Sequence, residues 1–364
     1  MEISKIDKNF AIEETAGGAN ERYCIPHPLF TLKGVFYEEE SACFVRMPNA
    51  VAEKVNEGVH VLSKQTSGGR LCFETDADSF KIEVEYPALG LMQHMPLTGS
   101  SGFSLFEITE NGENHIKNLM PVPTNSHGFT LEIALPQGKM RKYILYFPLY
   151  NDVKSLAISL NKGAKVLPFE PYRNELPIVY YGSSITQGGC SSRPDTCYMA
   201  LISKWNNIDY INLGFSGSAR GETEMVDYLT TLPCSLFVCD YDHNAPSAEH
   251  LRNTHYALYE RYRKVCPNTP ILFLTKPDIT GDKAGEERLK IVKNTYKKAI
   301  RNGDKNVYFL SGKSFYGKSA RWNFAVDGCH PTDFGFYQMA KKIYKKMIEI
   351  DERFGVTKGE TVKK

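Results

Sequence analysis

No stretch of this 364-residue chain approaches the roughly twenty consecutive apolar residues that a membrane span requires. Its opening, Met1-Glu2-Ile3-Ser4-Lys5-Ile6-Asp7-Lys8, lacks the basic start, apolar core and small-residue cleavage site of a secretory leader. An excess of one charge is missing too: 44 basic residues nearly cancel 42 acidic ones, and a net charge of +2 predicts neither a nucleic-acid nor a membrane partner. The one basic run, Lys341-Lys342 with Lys345-Lys346, has helical spacing and reads as a solvated face. Nine cysteines (Cys24, Cys43, Cys72, Cys190, Cys197, Cys234, Cys239, Cys266, Cys329) are odd in number and show neither metal spacing nor a disulfide framework. A reducing cytoplasm is therefore the expected location, although a leader trimmed away would leave the same residues. The histidines lack ligand spacing as well. His250 and His255 are close in the chain but do not stack on one helical face, so no metal and no other cofactor is expected.

What is present is ordinary globular composition, 42% apolar and 24% charged, in a chain long enough for two cores. From about Phe30 to Leu160 the pattern has period two. Phe80, Ile82, Val84 and Tyr86 alternate with Lys81, Glu83 and Glu85; Phe129 to Leu135, Tyr143 to Phe147 and Leu156 to Leu160 suggest further strands, and Asn111-Gly112 a hairpin turn. Residues 1–167 are expected to form an all-β, jelly-roll-like sandwich, and 168–176, rich in Pro, Glu and Arg, a linker. From 177 to 354 short apolar strands alternate with helical segments, the rhythm of a flavodoxin-like, doubly wound parallel sheet of five strands. The strands are Ile178–Tyr181, Tyr210–Leu213, Leu236–Asp240, Ile271–Thr275 and Val307–Leu310. Helical stripes run through Tyr198, Leu201, Ile202 and Trp205, through Leu251, Leu258, Tyr262 and Val265, and through Leu289, Val292, Tyr296 and Ile300. A last helix through Phe336, Met339, Ala340, Ile343 and Tyr344 is expected to cover the sheet's edge, with residues 355–364 as a tail.

In such a sheet the ligand crevice lies beyond the carboxyl ends of the strands, so the residues just after each strand carry the chemistry. After the first comes Gly182-Ser183-Ser184-Ile185-Thr186, a strand-to-helix turn that places a hydroxyl at the crevice mouth; a serine here fits equally as nucleophile or helix cap. The second ends in Asn212-Leu213-Gly214-Phe215-Ser216-Gly217-Ser218, whose glycines permit a tight turn with an inward N–H. The third runs into Asp240-Tyr241-Asp242-His243-Asn244-Ala245-Pro246, where Asn244 offers an amide donor or a turn-making side chain. Beyond the fifth, Asp327-Gly328-Cys329-His330-Pro331 sets a carboxylate three residues before an imidazole, able to fix its tautomer and leave the other nitrogen for the serine proton.

These four blocks, in this order, resemble the SGNH, or GDSL-type, serine hydrolase superfamily. The resemblance implies Ser184 as nucleophile, Asp327 and His330 as its partners, and an oxyanion hole from Ser184, Gly217 and Asn244. Ser183 stands where the family's first block usually has Asp. The block around Asn244 resembles a subgroup with a β-sandwich ahead of the hydrolase domain, and Phe147-Pro148-Leu149-Tyr150 and Gly102-Phe103-Ser104-Leu105-Phe106 look like that domain. The subgroup is associated with deacylating carbohydrates, which implies a carbohydrate acetylesterase acting on a small-molecule or oligosaccharide ester. Arg193, Arg220, His243 and Trp322 are the candidate substrate contacts, each with a packing or surface role as its alternative. Thioester or aryl-ester hydrolysis would use the same residues. A non-catalytic carbohydrate-binding protein is the reading from another class, and a homo-oligomer is compatible with the sequence.

Overall fold

A computed structural model describes residues 3, 6, 7, 18–125, 127–317 and 321–355. The expected tail, apart from residue 355, and most of the first seventeen residues lie outside the described residues. No described helix is long and apolar enough to cross a membrane.

The N-terminal strands are β1 (Ala19–Ile25), β2 (Thr31–Lys33), β3 (Phe36–Glu38), β4 (Cys43–Val45), β5 (Arg70–Thr75), β6 (Ser79–Glu85), β7 (Phe103–Thr109), β8 (Gly112–Leu119), β9 (Gly128–Ala134), β10 (Arg141–Tyr146), β11 (Ser155–Asn161) and β12 (Val166–Pro168). Apart from β3 and β4, which pair with each other, they form one antiparallel sheet in the order β1-β11-β6-β9 and a second in the order β12-β5-β10-β7-β8, with β2 beside β5. Phe80, Ile82 and Ile158 of the first sheet pack on Leu71, Phe73, Tyr143 and Leu145 of the second, as strand alternation requires. In β10, however, all four residues Tyr143 to Tyr146 are buried. The reason is that the outward side chains Cys72, Phe106, Ile144 and Tyr146 are covered by the C-terminal half and share a core with Tyr180, Tyr198 and Tyr210. The sandwich is thus fused to its neighbour through an apolar sheet face.

Period two does not hold throughout this half. Helices α1 (Asn49–Val55) and α2 (Glu57–Leu62) interrupt it, Asn56 capping α2 by accepting a bond from Val59 N at 2.8 Å; a short α3 (Leu97–Ser100) precedes β7.

The C-terminal half is a five-stranded parallel sheet of β13 (Ile178–Gly182), β14 (Tyr210–Gly214), β15 (Leu236–Asp240), β16 (Ile271–Leu274) and β17 (Val307–Leu310), ordered β14-β13-β15-β16-β17. Every residue of β13 is buried, because Ile178 and Tyr180 face one layer of helices while Val179 and Tyr181 face the other. A short α4 (Ser184–Gln187) follows β13; α5 (Tyr198–Asn206) and α9 (Asp333–Ile350) share one layer, and α6 (Thr223–Thr231), α7 (Ala248–Val265) and α8 (Lys283–Arg301) form the other. The chain reverses direction at β13, between β14 and β15, which opens the crevice at their carboxyl ends.

Three expectations are corrected. The last helix lies across a sheet face against α5 rather than over the edge, its Phe336, Met339, Ala340 and Ile343 buried with Ile202 of α5. Val265 at the end of α7 is exposed. The buried stripe of α8 runs through Ile291, Val292, Thr295 and Ala299, leaving Ile300 outside.

Candidate active site

The turn after β13 divides two jobs between adjacent serines. Ser183 is the N-cap of α4, its hydroxyl accepting the Ile185 N–H at 3.2 Å. Ser184 is therefore free of capping, and its Oγ lies 2.8 Å from His330 Nε2. The imidazole arrives on a closed loop: Val326 N donates to the His330 carbonyl at 2.8 Å, and Ala325 bridges Pro331. Asp327 Oδ1 accepts the Cys329 and His330 backbone N–H groups at 2.9 and 2.8 Å, while Oδ2 lies 2.7 Å from His330 Nδ1. Burial alone would raise the Asp327 pKa; the His330 N–H, its ring and the Cys329 N–H outweigh it and hold the carboxyl at about 2. An ionised Asp327 accepts a hydrogen bond from Nδ1–H, which favours the tautomer whose Nε2 lone pair faces the Ser184 hydroxyl.

Above this line lies the loop after β14. The Phe215 carbonyl accepts Ser218 N at 3.0 Å and Asn244 Nδ2 at 2.8 Å, so Asn244 spends one amide hydrogen on the loop and keeps the second. Gly217 has φ +67°, a conformation other residues adopt with strain, and a Cβ there would meet nothing within 4 Å; it borders open space. Among the described residues no acceptor binds the Gly217 N–H. Ser184 N, in the first turn of α4, is likewise outside the helix's own bonding.

The structure thus gathers Ser184, His330 and Asp327 in one hydrogen-bonded line, with Asn244 tied to the loop that carries Gly217. Other expected contacts go elsewhere. The Arg193 guanidinium pairs with Asp195 at 3.1 Å and faces Phe106. Arg220 engages Glu222 through its backbone N–H, and its carbonyl lies 2.8 Å from His250 Nε2. Trp322 is 74% exposed on a single 3₁₀ turn. None of these three bonds to the Ser184–His330–Asp327 line. His243 Nδ1 lies 3.4 Å from Asp242 Oδ1. Burial opposes its protonation, but Asp242, the Cys329 sulphur and Asp240 outweigh that and push its pKa up to about 10. Asp240, the last residue of β15, is pushed up to about 7 by burial and by Asp242, against the pull of His243 and Thr186. The donor atoms of Asp240, Asp242 and His243 lie within 4.8 Å of one another, the described residues most suited to hold a cation; Asp242 meanwhile accepts the Lys276 N–H at 3.1 Å and Asp240 the Thr186 hydroxyl at 3.2 Å.

Sequence reasoning missed what braces the site from the sandwich. Arg46, 2% exposed, donates to the Asn212 and Gly214 carbonyls at 3.1 and 2.7 Å, at the end of β14. Ser67 Oγ donates to Gln187 O at 2.5 Å, and Tyr150 reaches the Ser184 carbonyl at 3.2 Å. Phe147-Pro148-Leu149-Tyr150 carried the only signal, as a motif without a role.

Residues 175–349 match the GDSL-like lipase/acylhydrolase family, and residues 25–166 match the N-terminus of SGNH-hydrolase-type esterases. The chain belongs to the SGNH, or GDSL-type, hydrolases. No curated protein matches it. Among solved structures this SGNH chain is similar to a protein of Bacteroides ovatus described as a GDSL-like lipase (24% identity, TM-score 0.81, covering 91% of this chain and 98% of the other). A salicylyl-acyltransferase from a tetracycline biosynthetic pathway follows at 17% identity and TM-score 0.76, covering 92% and 98%. An acetyl xylan esterase of the rumen bacterium Butyrivibrio proteoclasticus has 13% identity and TM-score 0.58, covering 92% and 99%. At these identities the likeness is one of fold, and it extends over the sandwich as well as the SGNH half.

Proposed function

We propose that this SGNH acylhydrolase is a serine esterase that removes short acyl groups, foremost O-acetyl groups of carbohydrates. The observation that carries the reading is the unbroken line from Ser184 Oγ to His330 Nε2 (2.8 Å) and from Nδ1 to Asp327 Oδ2 (2.7 Å). Ser184 Oγ attacks the ester carbonyl while its proton passes to Nε2; the imidazolium is steadied by Asp327 and returns that proton to the departing alcohol. The acyl group is left on Ser184. Water then gives a proton to Nε2 as it attacks, the acid is released, and Oγ regains its hydrogen. Negative charge on the carbonyl oxygen in both halves is met by the Ser184 and Gly217 N–H groups and the spare hydrogen of Asn244. The carbohydrate assignment is supported by the acetyl xylan esterase among the structural neighbours and by the exposed Trp322 indole, a surface suited to a sugar ring, on the segment leading to Asp327.

The test is acetate release from acetylated xylo-oligosaccharides, beside an aryl acetate and an acyl thioester, with Ser184→Ala as control. Turnover of the oligosaccharide that is abolished in the variant is expected. Faster turnover of the thioester would move the substrate class, and no hydrolysis of any ester by the intact chain would overturn the enzyme reading.

A further inference from the structure

The Tyr150 hydroxyl lies behind the nucleophile, yet Tyr150 belongs to the other half of the molecule. It sits just past β10, and its segment is fixed by backbone bonds from Phe147 N to Gly69 O (2.9 Å), Leu149 N to Gly99 O (3.1 Å) and Tyr150 N to Ser100 O (2.9 Å). From that base Oη donates to the Ser184 carbonyl at 3.2 Å and lies 3.4 Å from Ser216 Oγ. Burial pushes its pKa well up, so the hydroxyl keeps the proton it donates.

The first contact falls on a backbone carbonyl and the second on a side-chain hydroxyl, and both residues matter to the site. The Ser184 carbonyl also accepts Gly188 N at 3.0 Å and Gly189 N at 2.7 Å, and together these bonds fix the backbone from which Oγ projects. Ser216 shares its peptide bond with the Gly217 N–H, so whatever orients Ser216 orients that N–H. The other end of Ser216 is held from the sandwich too. Its N–H donates to Gln187 Oε1 at 3.0 Å, and Gln187 Nε2 in turn donates to Gln65 Oε1 at 2.6 Å and Leu149 O at 3.3 Å. That pairing sets which way the Gln187 amide faces.

We propose that Tyr150 is a positioning residue for Ser184 and for the Ser216–Gly217 peptide, and that with Gln65 it makes the sandwich a working part of the active site rather than a separate binding module. The inference rests on the serine-esterase reading. Donors aimed at developing charge act through their fixed placement, so loosening the frame lowers turnover without changing how substrate docks.

Tyr150→Phe retains the ring and removes one oxygen. The experiment follows hydrolysis of an aryl acetate and the rate at which a fluorophosphonate labels Ser184, alongside the thermal midpoint. Expected is a fall of about ten-fold in kcat and in labelling rate, with KM and the midpoint near wild type. Lys154→Ala, a surface change on the same sandwich, is expected to leave both rates unchanged. A merely structural tyrosine would lower the midpoint and spare kcat of the folded fraction, which overturns the proposal, as does unchanged labelling by Tyr150→Phe. Should that variant not fold, Gln65→Leu decides on the same readouts. If the wild-type chain takes no label at Ser184, the esterase reading falls and this inference falls with it.

Discussion

A single methyl group at Gly189 tests how closely the catalytic line is packed. A Cβ built there would lie 2.9 Å from Tyr150 Oη, 3.0 Å from the Ser184 carbonyl and 3.2 Å from His330 Cδ2. Cδ2 is bonded to Nε2, so relieving the last contact shifts the imidazole by a few tenths of an ångström, roughly the margin between a 2.8 Å hydrogen bond and a weak one. Misplacing a reacting group by about 1 Å costs on the order of 10²-fold, and a shift near half of that predicts a loss of about ten-fold in kcat for Gly189→Ala. Gly189 is not among the residues with positive φ, so the change carries no backbone strain. The stability cost is that of overpacking, about 1–3 kcal/mol, offset in part by the stiffer unfolded chain. Steady-state hydrolysis of an aryl acetate and a thermal melt measure the two effects. A variant with wild-type kcat, fully folded, would refute the claim that the imidazole packs too closely on Gly189 to admit a methyl group.

The remaining predictions concern the oxyanion loop and the carboxylate below it. Asn244→Ala removes both the brace on Phe215 and the spare donor, and kcat is expected to fall by about 10²- to 10³-fold with little change in KM; a raised KM at normal kcat would make Asn244 a substrate contact instead. Asp240 has its pKa raised from 3.8 to about 7 in the folded chain, so its stabilising contribution is complete below about pH 4 and lost as pH rises through about 7. Asp240→Asn should therefore raise the melting temperature more at about pH 8 than at about pH 5, and an equal difference at both would contradict the buried ionisation.

Much of the hydrolase half was legible because its strands carry their own boundaries. Ile178–Tyr181 and Leu236–Cys239 are short apolar runs stopped by Gly182 and Asp240, and parallel strands buried on both faces need such runs. Helix rotation was harder. In α8 two overlapping stripes compete, and the buried one uses Thr295 and Ala299, whose small side chains let the helix approach α7 closely, while the bulkier Ile300 faces solvent. In the sandwich, alternation identified β6 cleanly, but the run Tyr143–Tyr146 gave no hint that its second face is covered by another part of the same chain.

The site divides along the same physical line. Ser184, Asn244 and His330 could be found because a doubly wound sheet gathers whatever follows its strands at one edge, so that position along the chain translates into position in space. Tyr150, Gln65 and Arg46 reach that edge from the sandwich, across sequence separations of 34, 122 and 166 residues in their bonds to Ser184, Gln187 and Asn212. No periodicity encodes such distances; only the apolar sheet face that fuses the halves sets them. On the proposed role of Tyr150 and Gln65, the fused face serves the site as well as stability. With Cys72, Ile144 and Tyr146 packed in one core with Tyr180 and Tyr210, the sandwich loops are held where Tyr150 can hydrogen-bond the Ser184 carbonyl, a register that a linker-tethered domain would not fix.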